Sequence, residues 1–449
     1  MFLLKSIPKV DKFVQHKAFS AMSAKLITKI SKDIIQKLRD DILEEKATSV
    51  DENLLIEEVL KKYKEITSPS LQKVINATGV IVHTNLGRSL ISPESFDRVK
   101  DIVTSYNNLE YDLEKGQRGE RYSHISNTLC QLLDCEDVLI VNNNASAVFL
   151  VLNTFAKNKE VVVSRGELVE IGGSFRVPDV MASSGAILKE IGTTNKTHLK
   201  DYENACNENS AILMKVHKSN YSIEGFSSEV SHEEIVNVAT KNNLIDYYDM
   251  GSGHMIDLPY NLNQTEPSVK EIMKVNPSLV SFSGDKLLGS VQAGIIVGKK
   301  KYIDKLKKNQ LLRMLRVDKL TLAILEDNII SLFLDKKENI PTLNMLFTPI
   351  ATLKSRASEV ENKIQNICTC NIIETQTVIG GGTTPNKKIP TIALSIEFKN
   401  YKPSKIEKLF REKKVIGRIE NDKFLLDFRS IQESEIESIT KIISEICHG

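Results

Sequence analysis

No stretch of this 449-residue chain approaches the roughly 18 apolar residues that a bilayer-spanning helix needs, so no membrane span is expected. The apolar patch in MFLLKSIPKVDKF is too short for a secretory signal. Trp is absent. The six cysteines (Cys130, Cys135, Cys206, Cys368, Cys370 and Cys447) form no Cys-x-x-Cys and accompany no paired His. That spacing speaks against a disulfide framework or a zinc site and for reduced thiols in a cytoplasmic protein. Cys368 and Cys370 alternate as strand residues do and read as packing. Internal repeats and low-complexity tracts are also missing. What is present is an ordinary soluble composition, 41% hydrophobic and 26% charged. The length suits roughly two or three domains.

Net charge is only +2, but it is unevenly placed. Residues 1–39 carry nine Lys/Arg against Asp11 and Asp33; residues 40–60 carry eight acids against Lys46. A third block, 299–319, holds nine basic residues against Asp304 and Asp318. Such blocks are solvated helix faces or contacts for a polyanion such as RNA, and composition does not choose between them.

Four segments follow from the patterning. Residues 1–70 read as a small helical unit: Ile34, Ile35, Leu38 and Ile42 share a helical face, and SVDE (Ser49–Glu52) has the form of a capping box before Leu55, Val59, Leu60 and Tyr63. Residues 71–137 link this unit to a core at 138–335. There DVLIV, EVVVS, GAILKEIG, AILMKV, NLIDYYDM, SLVSFS and AGIIVG alternate with helical or loop segments. Seven strand-sized apolar runs predict an α/β domain with a mostly parallel seven-stranded sheet. The segment from Lys299 to Leu334 is expected to be a long basic helix. Residues 336–449 complete the chain as a smaller α+β unit with strands at TIALSIEF and KFLLDF.

In parallel sheets, ligands collect at the carboxyl ends of strands. Two chemistry-bearing residues fall there. SFSGDKLLG places Lys286 after a buried strand among small residues, where desolvation lowers an ammonium pKa and frees the amine to form an imine. NLIDYYDMGSG ends another strand on Asp249. A lysine and a carboxylate on neighbouring strand tips suggest pyridoxal phosphate, whose ring nitrogen needs an acidic partner. A third element is the turn after DVLIV. Asn144, Ala145 and Ser146 there offer N–H groups and small side chains at a helix start, either as a phosphate seat or as plain caps. Ser283 is a further candidate phosphate contact.

The chain resembles the bacterial selenocysteine synthases (L-seryl-tRNA(Sec) selenium transferases), fold-type I pyridoxal phosphate enzymes. The resemblance runs nearly full length and rests on INATGVIVHTNLGRSL, LEYDLEKGQRGERYSHI, VVVSRGELVEIGGSFRVPDVM, EIGTTNKTHLKDY, DMGSG, SFSGDKLLGSVQAGIIVG and LLRMLRVDKLTLAILE. It implies that Lys286 is the cofactor-linked lysine. The implied substrate is seryl-tRNA(Sec), gripped by residues 1–70. The serine hydroxyl would be lost to give a cofactor-bound aminoacrylyl ester, to which selenium from selenophosphate adds. It also implies a homodecamer built as a ring of dimers, with no membrane, DNA or metal involved, and a donor phosphate held by Arg88, Arg313 and Arg316. Asp285, beside the lysine, either assists proton transfer or simply forms the turn. The alternative is a pyridoxal phosphate lyase acting on a free small amino or amino sugar acid.

Several features stay open at this level. Arg118 and Arg121 of GQRGERYSH face either a neighbouring active site or a structural ion pair. His83 and His217 end strand-like runs and are not taken as catalytic, and Glu167, Glu170 and Arg176 are expected to line the pocket or fix a loop. The glycine run Gly380–Gly382 is either a working loop or a turn.

Overall fold

The computed structural model describes residues 2–171, 175–218, 221–223, 225–264, 266–384 and 387–448. Parts of three motifs therefore lie outside the described residues: Gly172–Ser174, Ser219–Asn220 and Pro385–Asn386. The chain forms two compact units, Met1–Lys73 and Val74–Gly449.

In the first unit, helix α1 (Ala24–Leu43) buries Ile27, Ile30, Ile34 and Ile35 at i, i+3, i+4 spacing. They pack with Leu55, Ile56 and Val59 of α2 (Glu52–Thr67) and with Phe13 and Phe19. Burying each such side chain contributes about 1.5–3 kcal/mol before entropy is subtracted. Lys25, Lys29, Lys32, Lys37 and Arg39 stay exposed on α1. The cap of α2 differs from the expected box: Asp51, not Ser49, precedes the helix and accepts from the Asn53 N–H at 2.8 Å. A carboxylate one residue before the first turn serves the helix dipole as well as the orphan donor.

All seven expected runs are strands of one sheet in the second unit. They are β1 (Asp137–Val141), β2 (Glu160–Ser164), β3 (Ile187–Ile191), β4 (Ser210–Val216), β5 (Ile245–Gly251), β6 (Leu279–Ser283) and β7 (Gly294–Gly298). Their order is β1-β7-β6-β5-β4-β2-β3. Only β7 runs antiparallel to its neighbours. Every residue of β1, β6 and β7 is buried, which is why these runs are mostly apolar, with Asp137, Ser281 and Ser283 as the polar exceptions. Helix α3 (Asn144–Phe155) follows β1 and buries Ala147, Val148, Leu150, Val151 and Leu152 in the same core.

The expected single helix from Lys299 to Leu334 is a correction. It is three pieces: α4 (Lys300–Lys308), a 3-10 turn (Gln310–Arg313) and α5 (Lys319–Phe333). Asn309 caps the turn through Leu311 N–H, and Asp318 caps α5 through Thr321 N–H. Two caps inside one basic run end and restart the helix. Arg313 and Arg316 consequently share no helical face.

A second, antiparallel sheet has the order β8-β9-β11-β10. Its strands are β8 (Thr369–Val378), β9 (Lys388–Glu397), β10 (Arg418–Glu420) and β11 (Lys423–Asp427). Helices α6 (Ile350–Ile364), α7 (Pro403–Glu412) and α8 (Ile436–His448) supply residues to its core. At its heart Asp427 is fully buried. It accepts from Thr391 Oγ1 at 2.6 Å, from the Arg429 N–H at 2.9 Å and from the Arg418 guanidinium. Gly79, at φ +86°, leaves the space that this carboxylate fills. Removing one partner of such a buried pair strands the others, so Asp427→Ala should cost about 3–5 kcal/mol. Urea denaturation of the variant checks this; a loss below about 1 kcal/mol would show the network to be dispensable.

Candidate active site

The strand β6 ends at Ser283 and the chain turns at Gly284. Gly284 packs against the Val291 carbonyl, leaving no room for a Cβ, and its own N–H bonds the Ala293 carbonyl at 2.8 Å. Ser89 Oγ donates to the carbonyls of Asp285 (2.8 Å) and Lys286 (2.9 Å), and the Gly289 N–H closes the turn on Lys286 O at 2.9 Å. The backbone under Lys286 is thus pinned from both sides. The side chain is 6% exposed, and burial lowers its ammonium pKa against the attraction of Asp249.

Asp249 sits near the end of β5 on the adjacent strand, in register with Ser281 of β6. Burial pushes its carboxyl above the ordinary carboxylate value, against a hydrogen bond from Asn144 and the charge on Lys286. That bond, Asn144 Nδ2 to Asp249 Oδ1, is 2.7 Å. Asn144 therefore serves the acid directly. The helix cap is Asn143, whose side chain accepts from Ser146 N–H at 2.8 Å. The cap leaves the N–H groups of Asn144 and Ala145 to the positive end of α3, where Ala145 is exposed and Ser146 half-buried. Ser283 is buried and pairs in register with Gly294, which in turn lies against the Asn143 carbonyl.

Arg88, at φ +60°, donates from Nη1 to Asp285 Oδ2 at 2.9 Å. Four sequence-predicted residues thus meet at one place: Arg88, Asp285, Lys286 and Asp249, with Asn144 behind the last. The three-glycine loop joins them. Gly382 lies against the lysine, so that a Cβ there would meet Lys286 Nζ at 2.8 Å, and Gly380 bridges to Val82.

Arg313 and Arg316 are exposed, and Arg316 belongs to a different cluster within this chain. Arg316 reaches Glu110 at 3.2 Å, and Arg121 and Arg118 pair with the same carboxylate at 3.0 and 3.5 Å. Burial alone would raise Glu110, but Arg121, Arg316 and Arg118 together hold it below the ordinary value. Arg121 also donates to Val317 O at 2.6 Å, so within this chain it is held by both a carbonyl and its ion pair with Glu110.

His83 accepts from Asn85 N–H. Buried Glu167 holds the end of β4 through Val216 N–H (2.9 Å) and Lys215 (3.2 Å), whereas Glu170 and Arg176 form an exposed pair. Sequence reading did not find Ser252, His254 or Glu266, all at most 1% exposed. The polar string GSGH at the end of β5 was the only signal for the first two.

The SelA family model, L-seryl-tRNA selenium transferase, matches residues 74–432. The L-seryl-tRNA(Sec) selenium transferase of Sulfurimonas denitrificans is 68% identical over 448 residues, covering 100% of both chains. This chain belongs to the L-seryl-tRNA(Sec) selenium transferase family. The family's protein from Aliarcobacter butzleri is 65% identical over 446 residues and 99% of each chain. Among solved structures, D-glucosaminate-6-phosphate ammonia-lyase covers 86% of this chain and 98% of its own, with TM-score 0.61 and 18% identity, a likeness of fold. The fold is that of fold-type I pyridoxal phosphate enzymes, and pyridoxal 5'-phosphate is the cofactor. The residues fit it. A buried amine, a buried carboxylate on the next strand and the N-terminus of α3 answer its aldehyde, its ring nitrogen and its phosphate.

Proposed function

We propose that this protein converts L-seryl-tRNA(Sec) to L-selenocysteyl-tRNA(Sec) with selenophosphate as the selenium donor. The observation that carries this reading is Lys286, buried at a strand tip beside Asp249, in a chain 68% identical end to end to a selenium transferase. The relatives match through the N-terminal helical unit as well, and nothing favours a lyase acting on a free amino acid.

Pyridoxal phosphate, when bound, supplies the electron sink for a carbanion at the seryl Cα. This chain supplies the rest. Lys286, its ammonium pKa lowered by burial so that the free amine is more available, holds the cofactor and takes the Cα proton at Nζ. Asp249 presents one negative charge to the ring nitrogen, oriented by Asn144. Asn144, Ala145, Ser146 and Ser283 seat the phosphate. Asp285 stands beside the lysine as proton carrier for the departing hydroxyl, with Arg88 fixing its carboxylate.

Arg88, Arg313 and Arg316 bind the donor's phosphate group. In support, Arg313 makes no ion pair among the described residues, and Arg316 shares a single acid with two other arginines, leaving net positive charge there. Residues 1–70 grip the tRNA, supported by the exposed lysines of α1; residues 71–137 lead into the cofactor domain at 138–335, and 336–449 form the small domain. A cytoplasmic homodecamer completes the reading. Its support is the free thiols and the exposed Leu90, Ile91, Phe96, Ile102 and Leu113 on the second unit.

The test is selenium transfer onto seryl-tRNA(Sec) from selenophosphate by the purified protein. Charge-assisted bonds of about 1.5–3 kcal/mol predict that Arg313→Ala or Arg316→Ala raises the donor KM by roughly 10–150-fold. Cofactor content should not change. An unaltered donor KM would remove the arginines from this role, and no product from the wild type would remove the function.

A further inference from the structure

The loop that joins β8 to β9 carries Gly380, Gly381 and Gly382, and its strands belong to a different sheet from the one that presents Lys286. It reaches the lysine nonetheless. A Cβ on Gly382 would come within 2.8 Å of Lys286 Nζ and 3.1 Å of Cε. One on Gly381 would meet Thr84 Oγ1 at 2.8 Å, and one on Gly380 would strike the Val82 carbonyl. Gly380 and Gly382 lie at φ +149° and +77°, where L side chains are strained. At Gly382, backbone and space both call for glycine.

The loop is fastened by bonds that do not involve the lysine. Val82 N–H donates to Ile379 O at 2.7 Å, and Thr383 Oγ1 donates to Gly380 O at 2.7 Å. Ile379 packs with Ile81, Val82 and Leu287 in one apolar cluster. The stretch that grips the loop at Val82 also holds the lysine's own turn a few residues later. Arg88 binds Asp285, and Ser89 binds the Asp285 and Lys286 carbonyls. Residues 81–89 therefore fix Lys286 at both ends, its backbone directly and its amine through Gly382. Gly382 and Thr383 are buried, so a side chain added at 382 has no solvent to enter. An amine at the end of four methylenes yields more easily than a fastened loop. A methyl at 382 would displace Nζ rather than the backbone.

We propose that Gly382 is a positioning residue for Lys286: its missing side chain makes the room in which Nζ moves between its covalent bond to the cofactor and the Cα proton. This rests on the role given to Lys286 above. The second sheet thereby supplies a wall of the reaction site without contributing a reacting group. Because the wall is backbone, it limits where the amine can go and offers it no charged partner.

The experiment mixes cofactor-free full-length protein with pyridoxal phosphate and follows covalent attachment by visible absorbance, with borohydride trapping to place the adduct. Wild type is compared with Gly382→Ala and Gly185→Ala. Gly185, at φ +84°, follows the helix Val177–Ser184 at the N-terminal end of β3. Alanine there brings a similar backbone strain away from the strand tips that hold the site. Gly382→Ala should slow attachment to Lys286 by roughly 10–100-fold, the cost of an ångström-scale misplacement of a reacting group. Gly185→Ala should attach at the wild-type rate, though it too melts at a lower temperature. Asparagine tolerates positive φ and carries the same Cβ, so Gly382→Asn stands in where alanine fails to fold. A wild-type rate in the folded 382 variant would overturn the proposal, as would equal slowing in the 185 variant. A second comparison needs no cofactor: thermal melting of Gly382→Ala in the wild-type and Lys286→Ala backgrounds. The methyl should lower the melting temperature less where the lysine is absent, because it then enters the space of the missing amine. Equal losses in the two backgrounds would show no contact between the residues and would also sink the idea. No attachment in wild type would instead strike the role of Lys286 itself, on which the proposal rests.

Discussion

Lys286→Ala is expected to abolish covalent cofactor attachment and to lower selenocysteyl-tRNA(Sec) formation by roughly 10³-fold or more. The estimate combines loss of a positioned general base, worth about 10²–10⁴-fold, with loss of the amine that holds the cofactor. Among the described residues, no other lysine is buried at a tip of β5 or β6. Borohydride reduction followed by peptide mapping should place the cofactor on Lys286 in wild type and find no adduct in the variant. The fold should survive. The lysine's neighbours hold its backbone, through Ser89 and Gly289, and alanine keeps those bonds. Retention of a reducible adduct elsewhere in the variant would remove Lys286 from its role.

How far the sequence reaches is clear from particular residues. Six of the seven core strands were legible because they are almost wholly buried, so apolar residues dominate each run; β3, ILKEI, is partly exposed and was legible only from its apolar ends. Strand β8 was not read as one: nearly all of its ten residues are exposed or partly buried, and TCNIIETQTV carries six polar positions against four apolar ones. The break between α4 and α5 was written in Asn309 and Asp318, but a run of basic and aliphatic residues masked two caps that a closer reading would find.

At the site, Lys286 and Asp249 could be located because a strand end gives a residue an address. Their companions could not. Asn144 was visible as a turn residue, yet its bond to an acid 105 positions away is a property of the fold. Gly380–Gly382 announced a close approach without naming what approaches, and the answer, Lys286, comes from another sheet. Glu266 gave no signal at all, since an acid in TEPS reads as a loop residue until tertiary structure buries it.

Asp249→Asn should push activity and stability in opposite directions. The substitution keeps shape and can keep a hydrogen bond with Asn144, but it removes the charge offered to the ring nitrogen. Loss of one partner from a buried charge pair costs about 3–5 kcal/mol, or about two to three and a half powers of ten in rate. Without cofactor, the same charge is a burden. Burial holds the folded-state pKa of Asp249 above its unfolded value, which lies near about 3.9. Its stabilising contribution is therefore complete below the unfolded value and is lost as pH rises through the folded one. Asparagine cannot ionise and escapes that loss. The cofactor-free variant should melt above cofactor-free wild type at pH 7, and the gap should close as pH falls toward about 4. Thermal scans across this range, alongside selenium transfer by the loaded proteins, check both halves. A variant that loses activity and is also less stable at pH 7 would make Asp249 a structural acid, whereas one that keeps activity would show that the ring nitrogen finds its partner elsewhere.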